Sequence, residues 1–127
     1  MTSGYQAYQS SSVFTATPEQ LVVMLFDGAL RFSRRALLAW DNGDRGAATQ
    51  AVGRVTAIVN ELNVTLDMEV GGEIAENLRS LYTFMVRHCT DAVRGDDPNK
   101  LRQVMGMLVE LREAFSEAAK GAGARAA

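Results

Sequence analysis

Cysteine, histidine and tryptophan each occur once in this 127-residue chain, at Cys89, His88 and Trp40, and proline occurs only at Pro18 and Pro98. One cysteine excludes an intrachain disulfide and a cysteine-based zinc site. One histidine excludes a ferritin-like di-iron centre, which takes a Glu-x-x-His motif from each of two helices; position 85, three before His88, is moreover methionine. His88 and Cys89 are adjacent, so on a helix they project about 100° apart, too divergent for a nucleophile and its base. Gly71-Gly72 follows no strand pattern and belongs to no Gly-x-x-x-x-Gly-Lys run, so it is read as a hinge between helices rather than a phosphate loop. The chain is expected to carry out no catalysis and to use no cofactor or metal.

Long hydrophobic runs are also missing. The longest, Leu21 to Phe26, stops at Asp27 and is far too short to span a bilayer. The opening MTSGYQAYQSSSVF has neither a basic stretch nor an apolar one, so no secretory signal is expected there. Charge is balanced, with 13 basic against 15 acidic side chains, which leaves no electrostatic footprint for nucleic acid. The densest basic group, Arg31, Arg34 and Arg35, reads as a solvated helix face. These absences predict a cytosolic protein without membrane insertion.

Apolar residues nevertheless make up 47% of the chain, and only 7% of it is aromatic, so alanine, leucine, valine and methionine must build the core. That mixture favours packed helices over a sheet sandwich. Four amphipathic segments separate cleanly. Thr17, Pro18 and Gln20 form a capping-box signature for a first helix ending at Asn42-Gly43. Asp44 caps a second, striped by Ala48, Ala51, Val52, Val55, Ile58, Val59, Leu62 and Leu66. A third begins near Gly71-Gly72, carries Ile74, Ala75, Leu78, Leu81, Tyr82, Met85 and Val86 on one face, and ends around Arg94-Gly95. Asp97 and Pro98 start a fourth, running through Leu101, Val104, Met105, Leu108, Leu111 and Phe115 to about Ala119. Short links between helices of similar length give an all-α, antiparallel up-down-up-down four-helix bundle. Residues 1–16 are read as a mobile N-terminal segment, 17–119 as the bundle, and 120–127, KGAGARAA, as a disordered tail.

The apolar faces are wider than a simple bundle requires. The first helix is apolar over about 180° and the third over about 140°, where about 100° would serve. Something must cover the surplus: the N-terminal segment, another subunit, or a ligand helix. Met24, Met85, Met105 and Met107 add the adaptable surface that peptide-binding grooves use. Asn77, at the edge of the third helix's face, is expected to bond to another helix and fix its register. Tyr82 lies inside that face, so its ring belongs in the core and its hydroxyl needs a partner or the surface.

Two long runs carry a resemblance. TATPEQLVVMLFDGAL, from Thr15 to Leu30, and LDMEVGGEIAENLRSLYTFMVR, from Leu66 to Arg87, resemble the FliS family of flagellin export chaperones in order and spacing. The likeness extends from about Tyr8 to Ala118, nearly the whole chain. Phe26 stands where that family commonly has tyrosine, Phe115 where it has tryptophan, and Cys89-Thr90 where it has leucines.

The resemblance implies a bacterial cytosolic chaperone that binds the C-terminal segment of flagellin, prevents premature polymerisation and presents it to the flagellar type III export gate. It also implies that Tyr8 belongs to a segment that folds over the hydrophobic surface when flagellin is absent. A disordered tail would fold along an apolar groove. Ile58, Leu62, Leu66, Leu78, Tyr82 and Met85, on helices two and three, are expected to lie nearest to it. The free chaperone would be a monomer or weak homodimer. A helical-bundle protein acting as a homodimer, or as a regulator of another flagellar protein, is the alternative the residues leave open.

Overall fold

Thr17 opens the first helix by reciprocal bonding: Gln20 N–H donates to its Oγ1 at 3.1 Å, and its own N–H donates to Gln20 Oε1 at 2.9 Å. Two otherwise orphaned donors are satisfied, and Pro18 at the first helical position has none to satisfy. The structure, a computed structural model, describes residues 15–126, with side chains to Gly121. Its elements are α1 (Pro18–Asp41), α2 (Arg45–Val64), α3 (Met68–Arg94) and α4 (Pro98–Ala126). Tyr5, Tyr8, Val13 and Phe14, and with them the expected mobile segment up to residue 14, lie outside the described residues.

Aspartates start the later helices. Asp44 accepts from Ala47 N–H, Asp67 from Glu69 and Val70 N–H, and Asp97 from Asn99 N–H, all at 3.0–3.1 Å. Each α-helix packs against its chain neighbours, and α1 closes the ring against α4. This is the antiparallel four-helix bundle expected from the sequence. Phe26, Leu62, Tyr82, Met85, Leu101 and Leu108 are its largest fully buried side chains. Phe26 of α1 meets Phe115 of α4 with ring centroids 5.2 Å apart. The two aromatic positions that depart from the FliS-like pattern therefore touch each other, and neither brings a polar atom into the interior.

The α1–α2 seam is close-packed at Gly28 and opens farther along into a cleft of about 360 Å³ between Phe32, Arg35, Gln50 and Arg54. A Cβ placed on Gly28 would stand 3.3 Å from Ile58 Cδ1, so the helices approach to the limit of van der Waals contact there. At one end of the bundle, Trp40 Nε1 donates to Asp96 Oδ1 at 2.8 Å, and Arg45 donates to the Val93 carbonyl at 3.2 Å. The α1–α2 link is thereby tied to the α3–α4 link. On the α1–α4 side, Arg112 pairs with Asp27 at 2.8 Å.

Three boundaries differ from the sequence reading. α3 starts at Met68, one turn before the glycine pair, because Asp67 caps a short helical piece of its own. The hinge sits inside the element: Gly72 adopts φ 52° and ψ −127°, and the helix restarts beyond it. α4 runs on to Ala126 instead of giving way to a tail at Lys120. Its apolar stripe ends near Ala119, but the alanine-rich sequence that follows holds no proline to stop it. Asn77 faces solvent rather than a neighbouring helix.

Gly72 occupies backbone space that a side chain makes strained, so Gly72→Ala should cost about 1–3 kcal/mol of unfolding free energy. Gly53→Ala, where an added Cβ meets nothing within 4 Å, should instead be neutral or stabilise by up to ~1 kcal/mol. Urea denaturation followed by circular dichroism separates the two. Equal stabilities would mean that the hinge geometry imposes no strain.

Candidate functional site

On α2, positions 49, 53, 56, 60 and 63 alternate spacings of four and three, which places Thr49, Gly53, Thr56, Asn60 and Asn63 along one flank. None is a large apolar residue. Antiparallel to them on α3 stand Tyr82, Thr83, Val86, Cys89, Thr90 and Val93. Side chains this small do not close the space between two helices. The seam accordingly holds two clefts in line.

One cleft, of about 370 Å³, is walled by Thr49, Val52, Gly53, Thr56, Cys89, Thr90, Val93 and Arg94, and its lining is mostly apolar. The other, about 240 Å³, is walled by Asn60, Asn63, Tyr82, Thr83, Val86 and Arg87 and is more polar. Thr49 to Asn63 is fourteen helical steps, so the trough is about 21 Å long, enough for four turns of a client helix. Cys89 and Thr90, where the resemblance would place leucines, are part of what leaves the larger cleft open.

The residues expected nearest a client separate into three groups. Leu62, Tyr82 and Met85 are fully buried. In this conformation they have almost no surface to offer, and of the three only Tyr82 lines either cleft. Leu66 and Leu78 are half-buried and packed against the core. Ile58 is half-buried too, but its Cδ1 reaches Gly28, on the α1 side of α2 and away from the trough. Tyr8 lies outside the described residues. The α2 flank of threonine, glycine and asparagine was not expected, because a search for apolar stripes passes over it. Its 4-3-4-3 spacing was the available signal.

A second surface lies elsewhere on α3. Ile74 is 72% exposed, and Leu81 and Phe84 are exposed as well, although the apolar pattern placed Ile74 and Leu81 on the buried face. They sit to one side of the arc centred on Ala75, Tyr82 and Cys89. Phe84 stacks on His88, with ring centroids 4.9 Å apart, and His88 hydrogen-bonds to Gln103 of α4.

The trough's polar chemistry is set by burial. Tyr82 is 1% exposed, and neither its Oη nor the Oδ1 of Asn63 has a hydrogen-bond partner. Burial pushes the Tyr82 phenol up to about 12. It pushes the Cys89 thiol up to about 11, partly offset by a hydrogen bond with Thr56. Among the described residues no group of three histidine, cysteine, aspartate or glutamate side chains could hold a metal ion, and no helix is long and apolar enough to cross a membrane.

A family model described as "Flagellar protein FliS" matches residues 1–122. The chain is 39% identical over 120 residues to the flagellar secretion chaperone FliS of Salmonella typhimurium, covering 91% of this chain and 89% of that relative. It is 34% identical over 114 residues to the Bacillus subtilis protein of the same name, covering 90% and 84%. To the Campylobacter jejuni protein, also of that name, it is 36% identical over 113 residues, covering 89% and 88%.

Both raised pKa values mean that the folded protein holds a proton where the unfolded chain releases it. Stability from the thiol is complete below its ordinary value of 9.0 and is lost as pH climbs to about 11. The phenol follows between 10.0 and about 12. The melting temperature should therefore hold steady from neutrality to about pH 9 and fall beyond it, with Tyr82→Phe falling less steeply at the alkaline end. A thermal scan against pH checks this, and a wild-type profile flat to pH 11 would contradict it.

Proposed function

The chain belongs to the FliS family of flagellar proteins, and on that premise we propose that it is a flagellar export chaperone whose trough between α2 and α3 receives the C-terminal segment of flagellin. The observation that carries the proposal is the pair of aligned, unfilled clefts in that seam. A well-packed bundle leaves few voids larger than a water molecule. Here a continuous strip about four turns long lacks the side chains that would fill it. An amphipathic helix supplies them, with anchors at three- and four-residue spacing against Val52, Val86 and Val93.

The same physics accounts for the chaperone role. A segment that forms helices between flagellin subunits presents an apolar face, and in a reducing cytosol that face must be shielded before export. Binding along the trough buries it and leaves it unable to pair with a second flagellin. The complex then delivers flagellin to the export gate, a step that requires the client to leave again. A shallow groove lined by threonine, glycine and asparagine provides contact without deep interlocking. No chemical step is involved, so no cofactor is called upon. Leu66 and Leu78 border the site, Tyr82 lines its smaller cleft, Leu62 and Met85 are buried in the core, and Tyr8 belongs to the segment that covers the apolar surface while no client is bound.

Isothermal titration with the C-terminal segment of the flagellin encoded in the same genome should show a one-to-one complex with a negative heat-capacity change and a gain of helix. No binding at micromolar concentration would overturn the assignment. Gly53→Leu places a side chain in the larger cleft at a helical position with room for it. It should weaken binding at least tenfold while leaving the melting temperature unchanged or higher, since leucine is the better helix former. Ile58→Glu, by contrast, drives a charge against the α1–α2 contact and should destabilise the bundle by more than about 2 kcal/mol. A folded Ile58→Glu variant that has lost the client, beside an unaffected Gly53→Leu, would move the site to the α1 side of α2.

A further inference from the structure

The smaller cleft presents two polar atoms that the fold leaves without partners. Tyr82 Oη and Asn63 Oδ1 are both buried and both lack a hydrogen-bond partner, and both residues line the same 240 Å³ space. They are the two buried side-chain atoms in this condition among the described residues. Leaving one such atom unpaired is unfavourable, and two in the walls of one cleft describe a complementary guest that meets them as the seam opens.

The chemistry of that guest follows from the pair. Tyr82 has an O–H to donate, whereas the carbonyl oxygen of Asn63 only accepts. The guest must therefore bring one acceptor and one donor, close together. A carboxylate brings acceptors alone, and a charge would have to be stripped of water to enter. An ammonium or guanidinium brings donors alone and would leave the tyrosine proton unmet, with Arg87 on the same wall repelling it. A serine or threonine hydroxyl would have to meet both wall atoms from a single oxygen, whereas a primary carboxamide brings its C=O and its NH2 on separate atoms and without charge. If the Asn63 amide turns over, the guest amide turns with it, and the tyrosine hydroxyl serves as donor or acceptor in either arrangement.

We propose that this cleft is a carboxamide slot: an asparagine or glutamine side chain on the client helix enters beside Asn63 and Tyr82, its C=O accepting from Tyr82 Oη–H and its NH2 donating to Asn63 Oδ1. The inference rests on the reading of the α2–α3 trough as the client site and assigns the specificity of one end of it. Apolar anchors at the Gly53 end supply contact that any amphipathic helix can make. The slot distinguishes among such helices, because a carboxamide gives both atoms partners that they lack in the free protein, whereas an apolar side chain gains neither hydrogen bond.

The test uses the full-length protein and the C-terminal flagellin segment as probe. Tyr82→Phe removes a single oxygen that has no partner in the free protein, so its melting temperature should be unchanged or raised, while affinity for the segment falls about three- to tenfold. Asn63→Leu, similar in size, should weaken binding to the same degree and provides the second reading should either variant fold poorly. Each asparagine in the segment is then replaced by leucine and each glutamine by methionine. One replacement should reproduce the loss with the wild-type protein and add nothing further with Tyr82→Phe, the mark of a shared interaction. Undiminished affinity in both Tyr82→Phe and Asn63→Leu, with Gly53→Leu still impaired, would overturn the slot and leave the trough standing. A loss in Tyr82→Phe that couples to no carboxamide, or an aspartate in place of that amide binding more tightly, would also overturn it. A wild-type protein that does not bind the segment at all removes the trough reading itself, a result distinct from either.

Discussion

The close approach of α1 and α2 is the constraint on which the rest of the bundle depends. It is tightest at position 28, where a Cβ would stand 3.3 Å from Ile58 Cδ1 and that side-chain end would have to give by a few tenths of an ångström. Alanines at 29, 36 and 51 are buried in the same cluster, and Ala48 is buried too, so this half of the molecule is held by short side chains at short range. α1 then reaches α4 through Phe26 and Phe115 and through the Asp27–Arg112 pair. With α1 committed to both neighbours, α3 becomes the helix whose packing can be relaxed. The trough lies beside α3.

A groove kept open in a small domain is a stability cost borne before any client arrives. Each unpaired buried polar atom costs about 1–3 kcal/mol, against a total stability of about 5–15 kcal/mol for a domain of this kind. Tyr82 and Asn63 together are thus a noticeable fraction. The remaining core offsets it: Phe26, Leu62, Met85, Leu101 and Leu108 are fully buried in one contiguous cluster. The surface ion pair Arg45–Asp96, more than half exposed on both sides, adds little.

Helix number, order and caps were legible in the sequence because caps are local chemistry. Thr17, Asp44 and Asp97 bond to backbone within three residues, and no tertiary knowledge is needed to foresee it; Asp67 caps in the same way but was passed over. Gly72 was legible as a hinge for the same reason, although the helical turn before it was not. The site was only partly legible. A helical wheel reports which residues point inward, and Leu62, Tyr82 and Met85 do; it does not report where inward-pointing residues fail to meet. That failure depends on the flanks, where Gly53 and Thr56 face Cys89 and Thr90, and such residues carry no hydrophobic signal. Ile58 shows the same blindness from the other direction: its stripe was right, but the side of the stripe was decided by Gly28, thirty residues away. The tail from Lys120 reads as low complexity by composition, whereas the helical backbone persists because nothing in it breaks the hydrogen-bond ladder before Ala126.

The bonds between the two links at one end have a mechanical meaning. Trp40 and Arg45 fasten the α1–α2 link to the end of α3 through Asp96 and Val93. The opposite end, where α2 turns into α3, carries the Gly72 break. The seam between α2 and α3 is therefore built like a clothes-peg, with a pivot at Trp40 and free jaws near Gly72. On the proposed reading, a client admitted where the seam widens near Gly72 would travel from Asn63 toward Thr49.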